Sequence, residues 1–176
     1  MNEQRTDAAA TDEAPSVERP QLVRSFEGFY RSERKRLVRA LALTLGGDVS
    51  LAAEATDEAM ARAYTRWRQV GGYENPSGWV YRVALNWARS RLRKRSRERW
   101  GMTVDRGEWD PDPADPTLIR RVWALPEHQR VVVVLRYFTD WSTDQIADAL
   151  DIRPGTVKSR LNRALSHLRT TMEEQR

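Results

Sequence analysis

A helix-turn-helix pattern near the C-terminus most constrains what this 176-residue chain can fold into. Ser142 and Gln145 have capping-box spacing, which predicts a helix over 143–150. A tight turn over 151–154 and a second helix over 155–172 follow. Apolar residues recur on the second helix at three- and four-residue steps, at Val157, Leu161, Ala164, Leu165 and Leu168. With small Ala147 at the helix crossing, the spacing predicts a DNA-binding unit over 143–168.

The opposite face of the second helix is polar and basic. The segment 153–169 contains five bases and no acid. A recognition helix needs long hydrogen-bonding side chains for base edges and cations for phosphates. The residues of this face are Thr156, Lys158, Ser159, Asn162 and Arg163. The alternative is a solvated basic helix in an ordinary bundle.

The composition excludes several other kinds of site. The chain has no cysteine and only two histidines, so disulfides and zinc–cysteine sites are excluded and a histidine metal site is not expected. Hydrophobic residues make up 40% of the chain, which is enough for modest cores. The net charge of +5 suits an acidic partner. No apolar run approaches the ~20 residues of a membrane span, and the acidic N-terminus is unlike a signal peptide. We expect a cytoplasmic protein without catalytic residues, cofactor, metal or membrane insertion.

Two acidic stretches divide the chain. Residues 1–21 contain five acids and two bases, which predicts a disordered tail. Residues 101–116 contain five acids, one base and three prolines, which predicts a flexible linker. Since the remainder shows helical periodicity, the predicted fold is all-α. It consists of two small helical domains, 22–100 and 117–176, joined by the linker, the second carrying the helix-turn-helix.

Helix boundaries can be predicted from the residues between the apolar patterns. Gly46 and Gly47 end the first helix, Asp48 or Ser50 caps the second, and Ser77 caps the third. The predicted helices of the first domain are 26–45, 51–68 and 77–97, with a loop over 70–76.

The second domain begins with a helix over 116–124, and Pro126 opens another. The run Val131–Leu135 could form a strand by propensity. Its flanking residues and the surrounding helical pattern favour a helix.

The third helix of the first domain is strongly basic, with eight bases and one acid over 77–100. Its polar stripe consists of Arg82, Asn86, Arg89, Arg93 and Arg97. Trp79, Tyr81 and Trp87 lie between the bases, and exposed nucleobases stack on such rings. In the competing interpretation Trp79 and Trp87 are core residues. The side chains of the polar stripe are then exposed to water without binding DNA. Tyr81 is expected to be more open than either tryptophan.

The second helix carries the acids Glu54, Asp57 and Glu58 in an alanine-rich stretch. This face is unsuited to DNA and could bind a basic protein surface. The alternative is that these acids form a solvent-exposed helix face next to the hydrophobic core and bind no partner.

Two blocks of sequence resemble the extracytoplasmic-function (ECF) sigma factors of bacterial RNA polymerase. The N-terminal block rests on 26–30, on Ala53-Glu54 and above all on 76–86. The C-terminal block rests on Leu125-Pro126-Glu127 and on 155–161. The resemblance extends over 23–99 and 118–172. One departure is that the family usually follows Ala-Glu with Asp-Leu-x-Gln, whereas this chain has Ala55-Thr56-Asp57-Glu58.

The resemblance implies a promoter-reading subunit whose partners are core RNA polymerase and promoter DNA. The first domain, region 2, would bind the β′ clamp helices through Glu54, Asp57 and Glu58, and would open the −10 element. The second, region 4, would read the −35 element through its polar face, and the β flap is its expected polymerase contact. The linker would thread toward the active-site cleft. The resemblance leaves open whether an anti-sigma factor also binds.

The implied pocket for a flipped-out −10 base is formed by Asn86 and the loop 71–77, which includes Tyr73 and Asn75. Extruding a base costs a few kcal/mol, so selective binding of that base couples recognition to melting. The basic side chains assigned to the same −10 surface are Arg82, Arg89 and Arg93.

Two other classes of DNA-binding protein are alternatives. A stand-alone helix-turn-helix regulator would share the C-terminal unit but would have no use for the basic, aromatic helix of the first domain. A DNA-processing enzyme such as a serine recombinase would need a strand-rich catalytic domain, which the sequence does not predict.

Overall fold

The computed structural model describes residues 25–98 and 116–173, and within these ranges it contains eight α-helices and no strand. The all-α prediction is therefore confirmed. The helices are α1 (Phe26–Thr44), α2 (Val49–Thr65), α3 (Trp67–Val70), α4 (Pro76–Glu98), α5 (Pro116–Ala124), α6 (Glu127–Tyr137), α7 (Thr143–Leu150) and α8 (Pro154–Glu173). The predicted tail lies outside the described residues, as does the predicted linker except for Pro116, which begins α5. No helix in these ranges is long and apolar enough to cross a membrane.

Helices α1 to α4 form the N-terminal lobe, in which α2 packs against both α1 and α4. Small residues allow this close packing, since Ala52, Ala55, Ala59 and Ala63 of α2 are all fully buried. The larger core residues of the lobe include Leu41, Leu43, Leu51, Met60, Val80 and Leu85. Burying apolar side chains stabilises the lobe by about 25 cal/mol per Å² of surface removed from water.

The predicted glycine stop after α1 and the Asp48 cap of α2 agree with the structure, although α2 begins at Val49 rather than at residue 51. Gly46 and Gly47 have φ of +72° and +97°, a region that glycine enters without a steric cost. The carboxylate of Asp48 accepts a hydrogen bond from the amide of Leu51 at 2.8 Å and so caps α2.

Two boundaries in the N-terminal lobe were predicted wrongly. The second helix ends at Thr65, and the short α3 follows it and places Val70 in the core. The cap of α4 is Asn75 rather than Ser77, because Asn75 Oδ1 accepts from the amide of Gly78 at 2.8 Å. Pro76 is then the first helical residue, where its missing N–H costs nothing. Ser77 instead donates its hydroxyl to Glu33 at 2.9 Å.

Helices α5 to α8 form the C-terminal lobe, whose helix-turn-helix follows the prediction. Ser142 and Gln145 make both hydrogen bonds of a capping box. Asp151 adopts the left-handed conformation (φ 55°), which ends α7 within a single residue. Residues Val131–Leu135 are helical and all buried, because α6 packs against α1, α7 and α8 at once. This explains why a helix carries such a strand-like run.

The two lobes share one continuous apolar core. Helix α4 packs against α7, and α1 packs against α5 and α6. The ring of Tyr81 in α4 meets the ring of Trp141 edge-to-face, with centroids 5.9 Å apart. The indole of Trp123 lies against Gly47, where a Cβ atom would be only 3.0 Å from the ring. The lobes are therefore held face to face.

Candidate nucleic-acid interface

The polar face of α8 is open to solvent. Lys158, Ser159, Asn162 and Arg163 are exposed, and Thr156 is half-buried. Val157 and Ala164 are fully buried on the opposite side, which fixes the rotation of the helix. Leu165 was predicted to join that buried side but is 36% exposed, because it lies between the two faces. The structure thus presents four of the five predicted side chains together on one accessible surface.

The polar stripe of α4 is divided between solvent and the C-terminal lobe. Asn86 and Arg93 are exposed. Arg89, by contrast, forms an ion pair with Glu127 of α6 at 2.8 Å. Arg82 donates to the backbone carbonyl of Asp148 in α7 at 3.4 Å. The side chains one turn before and nearly one turn after Asn86 are therefore both engaged with the other lobe.

The loop predicted to form a base pocket borders a cleft of about 210 Å³. Tyr73, Asn75 and Arg82 line this cleft, whereas Asn86 is not among its lining residues. Asp148 and Ala149 of α7 complete the wall. Nδ2 of Asn75 is buried and has no hydrogen-bond partner within the described ranges. The cleft is therefore lined by polar side chains from both lobes.

Tyr81 was expected to be open, and this expectation is wrong. The side chain is 1% exposed, and its hydroxyl lies 2.7 Å from Oγ1 of Thr44. Burial raises the pKa of the Tyr81 hydroxyl above its ordinary value. Trp79 and Trp87 are partly buried and pack against the core, in agreement with the core interpretation. The aromatic side chains of α4 therefore support the fold rather than forming an exposed stacking platform.

The three acids of α2 differ in their surroundings. Glu54 is exposed, Glu58 bridges to Arg62 at 2.9 Å, and Asp57 accepts two 2.6 Å hydrogen bonds from Arg34. The hydrogen bond to Asp57 raises the pKa of Arg34. The acidic face therefore already contains cations, and its net negative charge is lower than the sequence suggests.

The departure from the family pattern lies mostly inside the lobe. Ala55 and Thr56 are fully buried, and the hydroxyl of Thr56 donates to the carbonyl of Ala52 at 2.7 Å. Asp57 remains exposed on the surface. The departure thus changes packing under the acidic face while the face keeps its carboxylates.

The sequence pattern does not indicate that the C-terminal lobe contacts the predicted −10 surface. The contacts come from Glu127, Asp148 and Ala149, which lie in a different part of the chain. Arg89 and Glu127 are 38 positions apart, and Arg82 and Asp148 are 66 apart. No periodic pattern or motif connects residues at such separations.

Comparisons with known proteins agree with this architecture. Residues 31–98 match the family Sigma-70 region 2, and residues 118–168 match the family Sigma-70, region 4. SigL, an ECF RNA polymerase sigma factor of Mycobacterium tuberculosis, is 35% identical over 143 residues, covering 76% of this chain and 81% of its own. The chain belongs to the ECF sigma factors of the sigma-70 family. This sigma factor directs promoter-specific initiation of transcription and, like its family, is not an enzyme.

Other relatives support the assignment. The RNA polymerase sigma-E factor of Streptomyces coelicolor is 33% identical and covers 84% of this chain and 85% of its own. A solved sigma factor, RpoE of Bartonella quintana in complex with the anti-sigma factor NepR, has the same fold. Its TM-score is 0.66 at 19% identity, with 85% of this chain and 99% of that chain covered. Family membership removes the stand-alone regulator and the recombinase as functions of this sigma factor.

Proposed function

We propose that the sigma factor reads a promoter at two points, the −35 element through α8 and the −10 element through α4 and the loop before it. In this proposal residues 22–100 act as the polymerase-binding and −10 domain, and residues 117–176 act as the −35 domain. The exposed basic face of α8, on a helix fixed by a buried opposite face, carries the proposal. Transcription in vitro with core polymerase on genomic fragments would identify the promoter sequence that both points read.

The spacing of the α8 side chains suits a DNA groove. Lys158 and Asn162 are four residues apart, as are Ser159 and Arg163, so each pair projects from successive turns of one face. Arginine can donate two hydrogen bonds to a guanine edge, and asparagine can bond to adenine. The helix can therefore contact bases and phosphates at the same time.

Replacing Arg163 with alanine is expected to weaken binding to the −35 element by about 1–3 kcal/mol, because a bidentate contact to a base is lost. Fluorescence anisotropy with a −35 duplex and with a scrambled duplex would measure this loss. Arg169→Ala removes the same charge from an exposed position farther along α8 and serves as the control. An equal loss on both duplexes would identify Arg163 as a phosphate contact instead.

The −10 proposal rests on Asn86 and the cleft beside the loop. Asn86 is exposed near the middle of a basic helix, and the nearby cleft is lined by the polar side chains of Tyr73, Asn75 and Arg82. Hydrogen bonds from such side chains to a flipped base would offset part of the cost of flipping it.

Asn86→Ala is expected to destabilise the open promoter complex by about 1–3 kcal/mol, since it removes a hydrogen-bonding amide from the surface proposed to hold the base. Permanganate reactivity of unpaired thymines in the −10 region would report melting. Ser90→Ala, at an exposed position one turn farther along α4, is the matched control. Unchanged melting and unchanged −10 preference would remove Asn86 from the proposed −10 surface.

The acidic face of α2 is proposed to bind the β′ clamp helices of core polymerase. Glu54→Lys is expected to weaken binding to core polymerase by about tenfold, which is about 1.4 kcal/mol, because it replaces an attractive charge with a repulsive one at the interface. Asp144→Lys makes the same charge change at an exposed position in the C-terminal lobe and controls for net charge. If both variants weaken binding equally in a titration with core polymerase, the face on α2 is not the contact.

A further inference from the structure

One cation of α1 lies on the acidic face of α2 that is proposed to bind core polymerase. We propose that Arg34 is an internal competitor for this contact: it holds the carboxylate of Asp57, so a basic partner surface must displace the guanidinium to use that carboxylate. Removing Arg34 should therefore strengthen polymerase binding. The inference rests on the proposed function, because it concerns how strongly the acidic face attracts its partner.

Arg34 reaches Asp57 across the packed helices α1 and α2. Its Nε donates to Oδ1 and its Nη2 donates to Oδ2, each at 2.6 Å, so both carboxylate oxygens are engaged. Two parallel hydrogen bonds between arginine and a carboxylate add both energy and geometric specificity to an ion pair. A cation of the partner must therefore share both oxygens with Arg34 or displace its guanidinium.

A second contact keeps the guanidinium in place. Arg34 follows Tyr30 by one helical turn, and its Cζ lies 5.9 Å from the centre of the Tyr30 ring. Tyr30 in turn packs against Phe26, with ring centroids 6.0 Å apart. The hydrogen bond to Asp57 also raises the pKa of Arg34, since it stabilises the charged form. The competing cation is thus held in position on the face by its neighbours.

The pairing changes the charge that a partner meets. The acids Glu54, Asp57 and Glu58 contribute three negative charges to the face. Arg34 and Arg62 place two positive charges beside them, so these five side chains have a net charge of −1. Beyond the immediate contact a paired carboxylate acts as a dipole, whose attraction falls off faster than that of a single charge. The exposed Glu54 therefore supplies most of the long-range attraction in the wild-type protein.

Of the two cations, Arg34 is the stronger competitor. Arg62 lies on α2 itself and donates to a single oxygen of Glu58, one turn earlier on the same helix. Ion pairs along one exposed helix face contribute little. Arg34 comes from the neighbouring helix and engages both oxygens of Asp57. The two pairs therefore differ in how firmly they hold their carboxylate, and the test concerns Arg34.

Polymerase can still displace this competitor. The side chains of Arg34 and Asp57 are 35% and 47% exposed, and exposed ion pairs change an equilibrium constant by at most about fivefold. The pair is therefore strong enough to lower the affinity for core polymerase and too weak to prevent binding. Arg34 acts as a residue that sets the strength of the contact.

Arg34→Gln removes the charge and keeps a polar side chain at this position. It should bind core polymerase about threefold more tightly than the wild-type protein, since the partner no longer has to break an exposed pair. Association should also be faster and more sensitive to salt, because the face then has one more negative charge. Arg31→Gln is the matched control. Arg31 pairs with Glu27 on α1 itself, so this variant should bind like the wild-type protein.

A single dye would report binding in equilibrium and stopped-flow experiments. The chain has no cysteine, so a dye attached to Ser166→Cys, at an exposed position of α8, labels every variant at one site. Its fluorescence anisotropy would follow titration with core polymerase at low and at moderate salt. Asp57→Asn provides a second background, in which Arg34→Gln should give a smaller gain because there is no carboxylate to release. Circular dichroism would confirm that each variant remains folded.

Three results would overturn the proposal. Weaker binding of Arg34→Gln would show that Arg34 itself contacts the polymerase. Equal affinities of Arg34→Gln and Arg31→Gln would show that Arg34 does not compete. An equal gain in the Asp57→Asn background would show that Arg34 acts through its charge alone and not by holding Asp57.

The same titrations separate these results from a failure of the proposed function. If Glu54→Lys and Asp57→Asn both bind core polymerase like the wild-type protein, the acidic face is not the polymerase contact, and the proposed contact fails together with the competitor. If either variant binds more weakly while Arg34→Gln gains nothing, the contact stands and only the role of Arg34 is wrong.

Discussion

Ile146→Ala is expected to lose about 2–5 kcal/mol of folding stability and, with it, binding to the −35 element. Ile146 is fully buried in α7 and belongs to the apolar core of the C-terminal lobe. Truncation leaves a cavity that the rigid capping box and the tight turn at Asp151 cannot collapse to fill. Urea denaturation, followed separately by tryptophan fluorescence and by −35 duplex binding, would measure the change.

Leu165→Ala is the matched control for this variant. Leu165 lies on α8 in the same lobe, but it is 36% exposed, so its truncation removes less buried apolar surface than truncation of the fully buried Ile146. We expect a loss below about 1 kcal/mol, since the destabilisation follows the apolar area removed from the core. Equal losses for the two variants would contradict the rotation of α8 described above.

Tyr81→Ala is expected to cost about 3–5 kcal/mol, the range for removing a buried aromatic ring. The ring is inaccessible to solvent and contacts Trp141 of the other lobe, and its hydroxyl is within hydrogen-bond distance of Thr44. Tyr81→Phe keeps the ring and removes only the hydroxyl, so we expect it to cost about 0.5–1.5 kcal/mol. Thermal unfolding monitored by circular dichroism would give both values.

The same pair of variants separates two roles for this aromatic residue. A ring that stacked on melted DNA would be dispensable for folding but important for open-complex formation. A core ring should show the opposite behaviour, with Tyr81→Phe nearly normal in transcription. A stable Tyr81→Ala protein with defective melting would restore the stacking role that the burial of Tyr81 argues against.

Most helix boundaries and the exposed polar face of α8 could be predicted because their causes are local. The capping box of Ser142 and Gln145 and the positive φ at Gly46 and Gly47 involve only neighbouring residues. The exposed face of α8 follows from apolar spacing alone. The cap of α4 was missed because Asn75 and Ser77 are both good caps, and only the contact of Ser77 with Glu33 in α1 decides between them.

The burial of Tyr81 and the covered cleft could not be predicted, because they depend on how two distant segments meet. A tyrosine between arginines on a helix has the same local pattern whether it faces solvent or a second lobe. The partner ring, Trp141, lies 60 positions away along the chain. The contacts of Arg82 and Arg89 arise in the same way, so the sequence assigned them to DNA and gave no sign of their second set of partners.

The helix-turn-helix contains two kinds of position: a turn residue constrained by its backbone conformation, and side chains exposed on the polar face of α8. Asp151 holds a left-handed conformation that glycine and asparagine can also adopt but that β-branched residues resist, so few substitutions are tolerated there. Lys158, Ser159, Asn162 and Arg163 are exposed and contribute little to packing. In the proposed reading of the −35 element, promoter preference would be redesigned at these four positions while the scaffold that presents them stays constant.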